Sequence, residues 1–338
     1  MTPSSTTAPG RSCPLHYRYA PSVFASAASV RCEVLYVVGG LYGNQPALDQ
    51  VLALFEQERG RKRLFFNGDF NWFNTEAAAF ERLNRQVLAH DALRGNVETE
   101  LASDSADGDA GCGCAYPDWV GDGVVERSNR ILQRLRDTAR HFPTLTRALA
   151  ALPMWARVDV GDLHLAIVHG DAESLAGWGF APEHLQHAAH RARVRRWFEQ
   201  AQVDAFACSH TCLPVFHRLA MAGRTQPALV LNNGATGMPN FRGDNAGLVT
   251  RIALTPFAGA AAQRRHGLRA GAVHIDALAV DSASAAWCAQ FLRQWPPGSD
   301  AHDSYWQRIC EGPHFEPGQA LVASDDGPGE AGDIRLLR

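Results

Sequence analysis

A chain of 338 residues with 46% hydrophobic and 20% charged side chains has an ordinary globular composition and can bury a sizeable core as one large domain or two small ones. A formal net charge of -3 lacks the basic surplus of proteins that live on nucleic-acid backbones, so no strong nucleic-acid signal is present. No apolar run approaches the roughly 20 residues needed to span a bilayer, which argues against a membrane partner.

Residues 1–31 read as a flexible N-terminal tail. Met1 to Gly10 is rich in Ser, Thr and Pro, and has neither the positive nor the apolar region of a secretion signal. A cytoplasmic location is the expectation, and there the eight cysteines stay reduced, available for core packing or metal binding. Val34 to Val38 is a buried strand followed by Gly39-Gly40, and Pro46 opens a helix with Leu48, Val51, Leu52 and Phe55 on one face. Leu64 to Phe66 is a second strand ending in Asn67-Gly68-Asp69. Phe80, Leu83 and Val87 mark a second helix, and a third short strand ends at Leu93, before Arg94-Gly95-Asn96. This alternation is that of an α/β layer, in which ligands gather beyond the strand ends.

Residues 98–123, rich in Gly, Asp, Ser and Ala and containing Cys112-Gly113-Cys114, read as an inserted loop. A helical stretch then runs from about Val125 to Leu152, with a break at Pro143. Trp155 to Val160 and Leu163 to Val168 form a hairpin about Gly161-Asp162 and lead into His169-Gly170-Asp171. Glu183 to Gln200 is helical, and Val203 to Ala207 is a strand ending at Cys208-Ser209-His210-Thr211-Cys212. Strands and turns continue to about Val280. Helices over Ser282 to Arg293 and Ser304 to Cys310 precede a polar C-terminal tail, 316–338. The main domain is thus expected over 32–315.

Four strand ends carry metal-ligand types: Asp69, Asn96, His169 and His210. One Asp, one Asn and two His form a mixed oxygen and nitrogen set that suits Mn, Fe or Zn better than calcium. The surrounding segments resemble motifs of the calcineurin-like metallophosphoesterases, prokaryotic type. LFFNGDFNW (Leu64 to Trp72) is similar to their Gly-Asp motif and LRGNVE (Leu93 to Glu98) to Gly-Asn-His-Glu/Asp. IVHGD (Ile167 to Asp171) and CSHTCLP (Cys208 to Pro214) are similar to the later His-Gly and Gly-His-Thr-His motifs, and LVLNNGATGMP (Leu229 to Pro239) to a following Gly-rich stretch.

The resemblance implies a four-layer α/β metallophosphoesterase fold, a two-sheet β-sandwich core flanked by helices. It also implies a metal-dependent phosphoesterase that hydrolyses a small phosphomonoester or phosphodiester with one or two divalent transition metal ions. The first motif departs from the family's Asp-x-His-Gly-Asn: Gly40 and Tyr42 replace the carboxylate and the imidazole. Val97 replaces the His after the Asn, and Cys212 the last His. Carried over residue by residue, one metal position stays whole (Asp69, Asn96, His169, His210). The other keeps only Asp69 and Cys212, with Cys112 and Cys114 as further thiol candidates.

Arg94 is expected to clamp phosphate and Tyr42 to donate to a phosphoryl oxygen or to fill the space left by a metal, with Asn44 bracing the first loop and Asp171 orienting a ligand His. Trp72 and Phe73 are candidates for stacking on an aromatic group, or core. The alternatives are an inactive binding or regulatory protein on the same fold, and a protein Ser/Thr phosphatase.

Overall fold

The computed structural model describes residues 8–103 and 110–321. Two six-stranded sheets face each other. The first holds β1 (Ser29–Cys32), β5 (Trp155–Val160), β6 (Leu163–Val168), β7 (Ala205–Cys208), β8 (Pro214–Leu219) and β9 (Ala228–Asn233), in the order β1-β5-β6-β7-β9-β8. The second holds β2 (Val34–Val38), β3 (Lys62–Asn67), β4 (Asp91–Leu93), β10 (Ala246–Ala253), β11 (Arg264–Ala270) and β12 (Val273–Asp281), in the order β11-β12-β10-β2-β3-β4. β2, β3 and β4 run parallel, as do β6, β7 and β9.

The period-two alternation of a strand decides which layer each side chain joins. In β2, Leu35 and Val37 pack between the sheets, against Leu165 and Ile167 of β6. Val34, Tyr36 and Val38 point the other way, into a core shared with helices. Those helices are α1 (Gln45–Gln57), α2 (Ala77–Val87), α4 (Asp122–Ala139) and α8 (Ala285–Gln294). Ala166 and Val168 of β6 face outward onto α7 (Ala188–Ala201) through Val194, Trp197 and Phe198. The result is the expected four layers, helix-sheet-sheet-helix. Each fully buried Leu, Val or Phe in these layers stabilises the fold by about 1.5–3 kcal/mol.

Local signals place the elements. Asn44 caps α1, its side chain accepting from Ala47 N at 3.1 Å, and its amide also donates to Gly237 O at 3.0 Å and Ser282 O at 2.9 Å. The bracing expected of Asn44 is thus present. Gly161, with φ +58°, turns β5 into β6, whose register pairs Val160 with Leu163. α5 (Pro143–Ala150) starts at Pro143, where the helical stretch was expected to break.

Three boundaries differ from expectation. From residue 8 onward the N-terminal segment is packed structure. Tyr17 and Phe24 are fully buried, Tyr17 Oη donates to Glu100 Oε1 at 2.6 Å, and β1 adds in parallel to β5. The Ser/Thr/Pro bias of the first ten residues said nothing of these aromatic anchors. Residues 98–123 are not all loop: α3 (Asn96–Ala102) fills their start, nucleated by the buried Glu98 carboxylate bonding back to Gly95 N at 3.1 Å. The segment expected as one helix from Glu183 is α6 (Pro182–Leu185) and α7, with Arg191 donating to Leu185 O and Gln186 O at the join. α9 (Asp300–Glu311) closes one side of the domain. No helix of the described residues is long and apolar enough to cross a membrane.

Candidate metal centre

Asp69 follows β3, Asn96 follows β4, His169 follows β6 and His210 follows β7. Two sheets therefore each send two side chains to one point beyond their carboxyl edges. His169 Nε2 lies 3.3 Å from Asp69 Oδ2, 3.2 Å from Asn96 Oδ1 and 3.2 Å from His210 Nδ1. Donor atoms of Asp69, His169 and His210 all fall within 4.8 Å of one another, and all three residues are buried.

Backbone carbonyls set the orientation of three of these groups. A carbonyl only accepts, so each contact fixes which ligand atom carries hydrogen. His169 Nδ1 donates to Asn67 O at 2.8 Å, which leaves the Nε2 lone pair facing Asp69 and Asn96. His210 Nε2 donates to Cys114 O at 3.0 Å, which leaves Nδ1 facing His169. Asn96 Nδ2 donates to Cys112 O at 2.9 Å, which turns Oδ1 toward His169. With both imidazoles neutral, four lone-pair donors are aimed at one another, an arrangement made favourable by a shared cation, whether a proton or a metal ion. The set fits a divalent transition ion in both chemistry and outer support.

Without a bound ion, titration trends favour a proton shared between His169 and Asp69. Burial alone would raise Asp69, but His169 outweighs it and holds the carboxyl below its usual range. Burial lowers His169 and Asp69 overcompensates, so this imidazole sits above its ordinary value. His210 is pushed down to about 4 by burial and by the neighbouring His169 charge, so it is neutral and able to ligate at pH 7.

The Asp69 turn is strained. Asp69 has φ +53°, a left-handed conformation unusual for a residue with a side chain. Glu98 holds it there: fully buried, its carboxylate accepts from Asp69 N at 2.7 Å, Phe70 N at 3.1 Å and Gly95 N at 3.1 Å. Gly95 is required by close approach, since a Cβ there would lie 2.3 Å from Asp69 Oδ1. Glu98 stood in the LRGNVE segment as its last residue; three residues beyond Gly95, it is in position for a capping interaction.

Gly40 and Tyr42, which the resemblance sets at the first metal motif, pack against each other. Tyr42, with φ +56°, folds back over Gly40, where a Cβ would lie 2.5 Å from Tyr42 Oη. The Tyr42 hydroxyl pairs with Cys212 Sγ at 2.8 Å, and that thiol also reaches His210 O at 3.2 Å. Burial pushes the Cys212 thiol up, and the nearby Arg308 and the Tyr42 bond oppose it. Cys212 therefore stands beside the ligand cluster as a tyrosine-bonded thiol and does not join it: among the described residues, only Asp69, His169 and His210 group as three or more Asp, Glu, His or Cys donors. The four-ligand grouping of Cys112, Cys114, Cys212 and Asp69 is not formed. The Cys112 and Cys114 carbonyls support the ligands instead of their sulfurs supplying them.

Two other expected roles are not met. Arg94 donates to Ala150 O at 3.0 Å and lines a depression with Pro14, His16 and Thr99, away from the cleft that holds Asp69. Asp171 touches no ligand His; it accepts from the backbone N–H groups of Glu173, Ser174 and Gly179 and shapes that loop.

The cleft beside the ligands has a volume of about 250 Å³. Trp72, Tyr116, Trp178 and Tyr305 give it aromatic walls, Val97 lines it as well, and Arg308 adds a cation. Trp72 is thus available to a ligand, whereas Phe73 is fully buried against Phe291 and Tyr305. Tyr116, Trp178, Tyr305 and Arg308 belong to no motif, and sequence pattern alone offered no signal for them.

No protein-family model and no curated protein matches the chain. Solved structures do. A hypothetical protein from Pyrococcus horikoshii OT3 is similar over 85% of this chain and 100% of its own, with a TM-score of 0.56 and 13% identity. A metallophosphoesterase from Sphaerobacter thermophilus is similar over 83% of this chain and 100% of its own, with a TM-score of 0.51 and 16% identity. With its two sheets flanked by helices, the chain has the fold of that metallophosphoesterase.

Proposed function

We propose that the chain is a metal-dependent phosphoric ester hydrolase that acts on a small phosphomonoester or phosphodiester. The observation that carries this reading is the convergence of Asp69, Asn96, His169 and His210 on one point, three of them (Asp69, Asn96 and His210) lining a cleft with aromatic walls. When bound, a divalent transition ion (Mn, Fe or Zn) supplies Lewis acidity toward a phosphoryl oxygen and toward water.

The protein's own part is positioning. The carbonyls of Asn67, Cys112 and Cys114 keep three ligands in the correct tautomer or rotamer, and Glu98 keeps the Asp69 turn in register. Trp72, Tyr116, Trp178 and Tyr305 exclude bulk water, which strengthens electrostatic interactions inside the cleft. A cleft of about 250 Å³ favours a small substrate over a phosphoprotein surface. The eight cysteines are all unpaired, in keeping with a reducing compartment such as the cytoplasm.

One observation favours a second reading, a binding protein without turnover: Tyr42 occupies space that the resemblance assigns to a ligand of the first ion. Chromogenic phosphomonoesters and phosphodiesters, assayed with Mn²⁺, Fe²⁺ and Zn²⁺, separate the two. Turnover that disappears in His169→Ala supports the hydrolase. A metal-loaded protein that turns over none of the panel supports the binding protein.

A further inference from the structure

Arg308 projects from α9 into the wall of the cleft that also contains Asp69, Asn96 and His210. Its guanidinium is held from behind by two carbonyls: Nη2 donates to Cys212 O at 2.7 Å and Nε to Pro239 O at 3.2 Å. Among the described residues no carboxylate pairs with it. Other arginines are neutralised: Arg63 by Asp91, Arg136 by Glu100 and Arg251 by Glu58. Among the described residues Arg308 is thus a backbone-anchored cation without a carboxylate partner, in the lining of the cleft.

Its anchor adds a second observation. Cys212 O belongs to the residue whose thiol bonds Tyr42, so the arginine is tethered to the Tyr42–Cys212 pair beside the ligands. A planar guanidinium with two of its donors satisfied by backbone keeps further N–H groups for an anion, and its geometry suits phosphate oxygens.

We propose that Arg308 is a phosphate-binding residue, supplying from α9 the positive charge that the altered first position no longer gathers. The inference rests on the hydrolase reading only in its choice of phosphate as the anion.

The test uses the full chain loaded with Mn²⁺ and inorganic phosphate as the probe, with affinity read by calorimetric titration and metal content by elemental analysis. Arg308→Gln keeps an N–H donor for Cys212 O but loses the charge, whereas Arg308→Lys keeps charge and donor without the planar fork. Phosphate binding is expected to weaken at least tenfold in Arg308→Gln and only a few-fold in Arg308→Lys, with metal content unchanged in both.

Wild-type affinity in the Gln variant overturns the proposal. So does equal weakening in both variants, which marks a scaffolding role, and so does a wild-type protein that binds no phosphate. Should the Gln variant not fold, the Lys variant decides alone: wild-type affinity or metal loss overturns the proposal, and a few-fold weakening with metal retained supports it. A wild type that binds phosphate through Arg308 yet turns over no phosphoester would sink the hydrolase reading and leave this inference standing.

Discussion

Gly40 can accept no other side chain while Tyr42 lies where it does. A carboxylate at position 40 needs a Cβ that would sit 2.5 Å from the Tyr42 hydroxyl, on a backbone with φ +58°. The two replacements are therefore coupled, and reversing one alone fails. Gly40→Asp is expected to destabilise the fold by about 2–4 kcal/mol, the sum of left-handed strain and overpacking. The double variant Gly40→Asp/Tyr42→His removes the clashing hydroxyl, recovers part of that loss and returns two ligand types to the first position. Denaturant titration and metal counting check this: a single variant as stable as wild type refutes the coupling. At the same scale, Glu58 gives a pH signature. Burial would raise it, but bonds from Arg251 Nε at 2.5 Å and Tyr36 Oη at 2.8 Å outweigh burial and hold it below the usual carboxylate range. Stability from such a group is fully present above its unfolded pKa, about 4.3, and is lost as pH falls through the lower folded value. Glu58→Gln is expected to cost about 2–4 kcal/mol at pH 7, because it strips a partner from the buried Arg251. That deficit should shrink by pH 3; a deficit independent of pH contradicts the assignment.

At the scale of elements, the segment over Gly111 to Cys114 does more than its composition announces. Its cysteines were legible as residues that could reach the site, and Cys114 does line the cleft. What mattered was the backbone between them, because the carbonyls of Cys112 and Cys114 orient Asn96 and His210. Carbonyls are common to every residue, so a sequence cannot advertise which ones will turn inward. Strand ends were legible for the opposite reason: an apolar run stopped by Asp, Asn or His marks both the edge of a sheet and an unusual side chain at it. The packed segment from residue 8 to β1 was missed because Tyr17 and Phe24 are isolated anchors without periodicity. The loop's role can be tested at Gly113, whose φ is +66° and where a Cβ would lie 2.3 Å from Tyr17 Oη and 2.9 Å from Glu100 Cγ. Gly113→Ala forces the loop to shift and swings both carbonyls. Metal affinity is expected to fall about 10–100-fold, the usual consequence of losing an outer support to metal ligands. Unchanged affinity by competition with a chelating dye would show that Asn96 and His210 hold their orientation without this loop.

For the whole molecule, the decisive feature is that the ligands divide between the sheets: Asp69 and Asn96 from one, His169 and His210 from the other. Motif order in the sequence made that division readable, since each ligand follows a parallel strand. The wall from α9 was not readable, because a helix far along the chain reaches the site only through tertiary packing. An ion held by both sheets ties together the two halves of the sandwich, so it should stabilise the molecule globally and not only at the loops. Ligand bound solely to the native state adds about 2.7 kcal/mol at a hundredfold excess over its dissociation constant. In a domain of this size that corresponds to a rise in melting temperature of about 4 °C. Chelator-treated wild type titrated with Mn²⁺ or Zn²⁺ should show this rise, with about one ion bound per chain, because Tyr42 and Cys212 bond each other beside the ligands and do not join them. Removing a ligand from either sheet, as Asp69→Ala or His169→Ala, should abolish the rise. Each variant also loses contacts of its own, the Asp69–His169 pair at 3.3 Å among them, so the rise is read against that variant's own metal-free melting temperature. Two bound ions would show that the Tyr42–Cys212 pair leaves room for a second ion, whereas a metal-dependent rise that survives both variants would place the cation elsewhere and remove the basis for assigning this cleft to phosphoester chemistry.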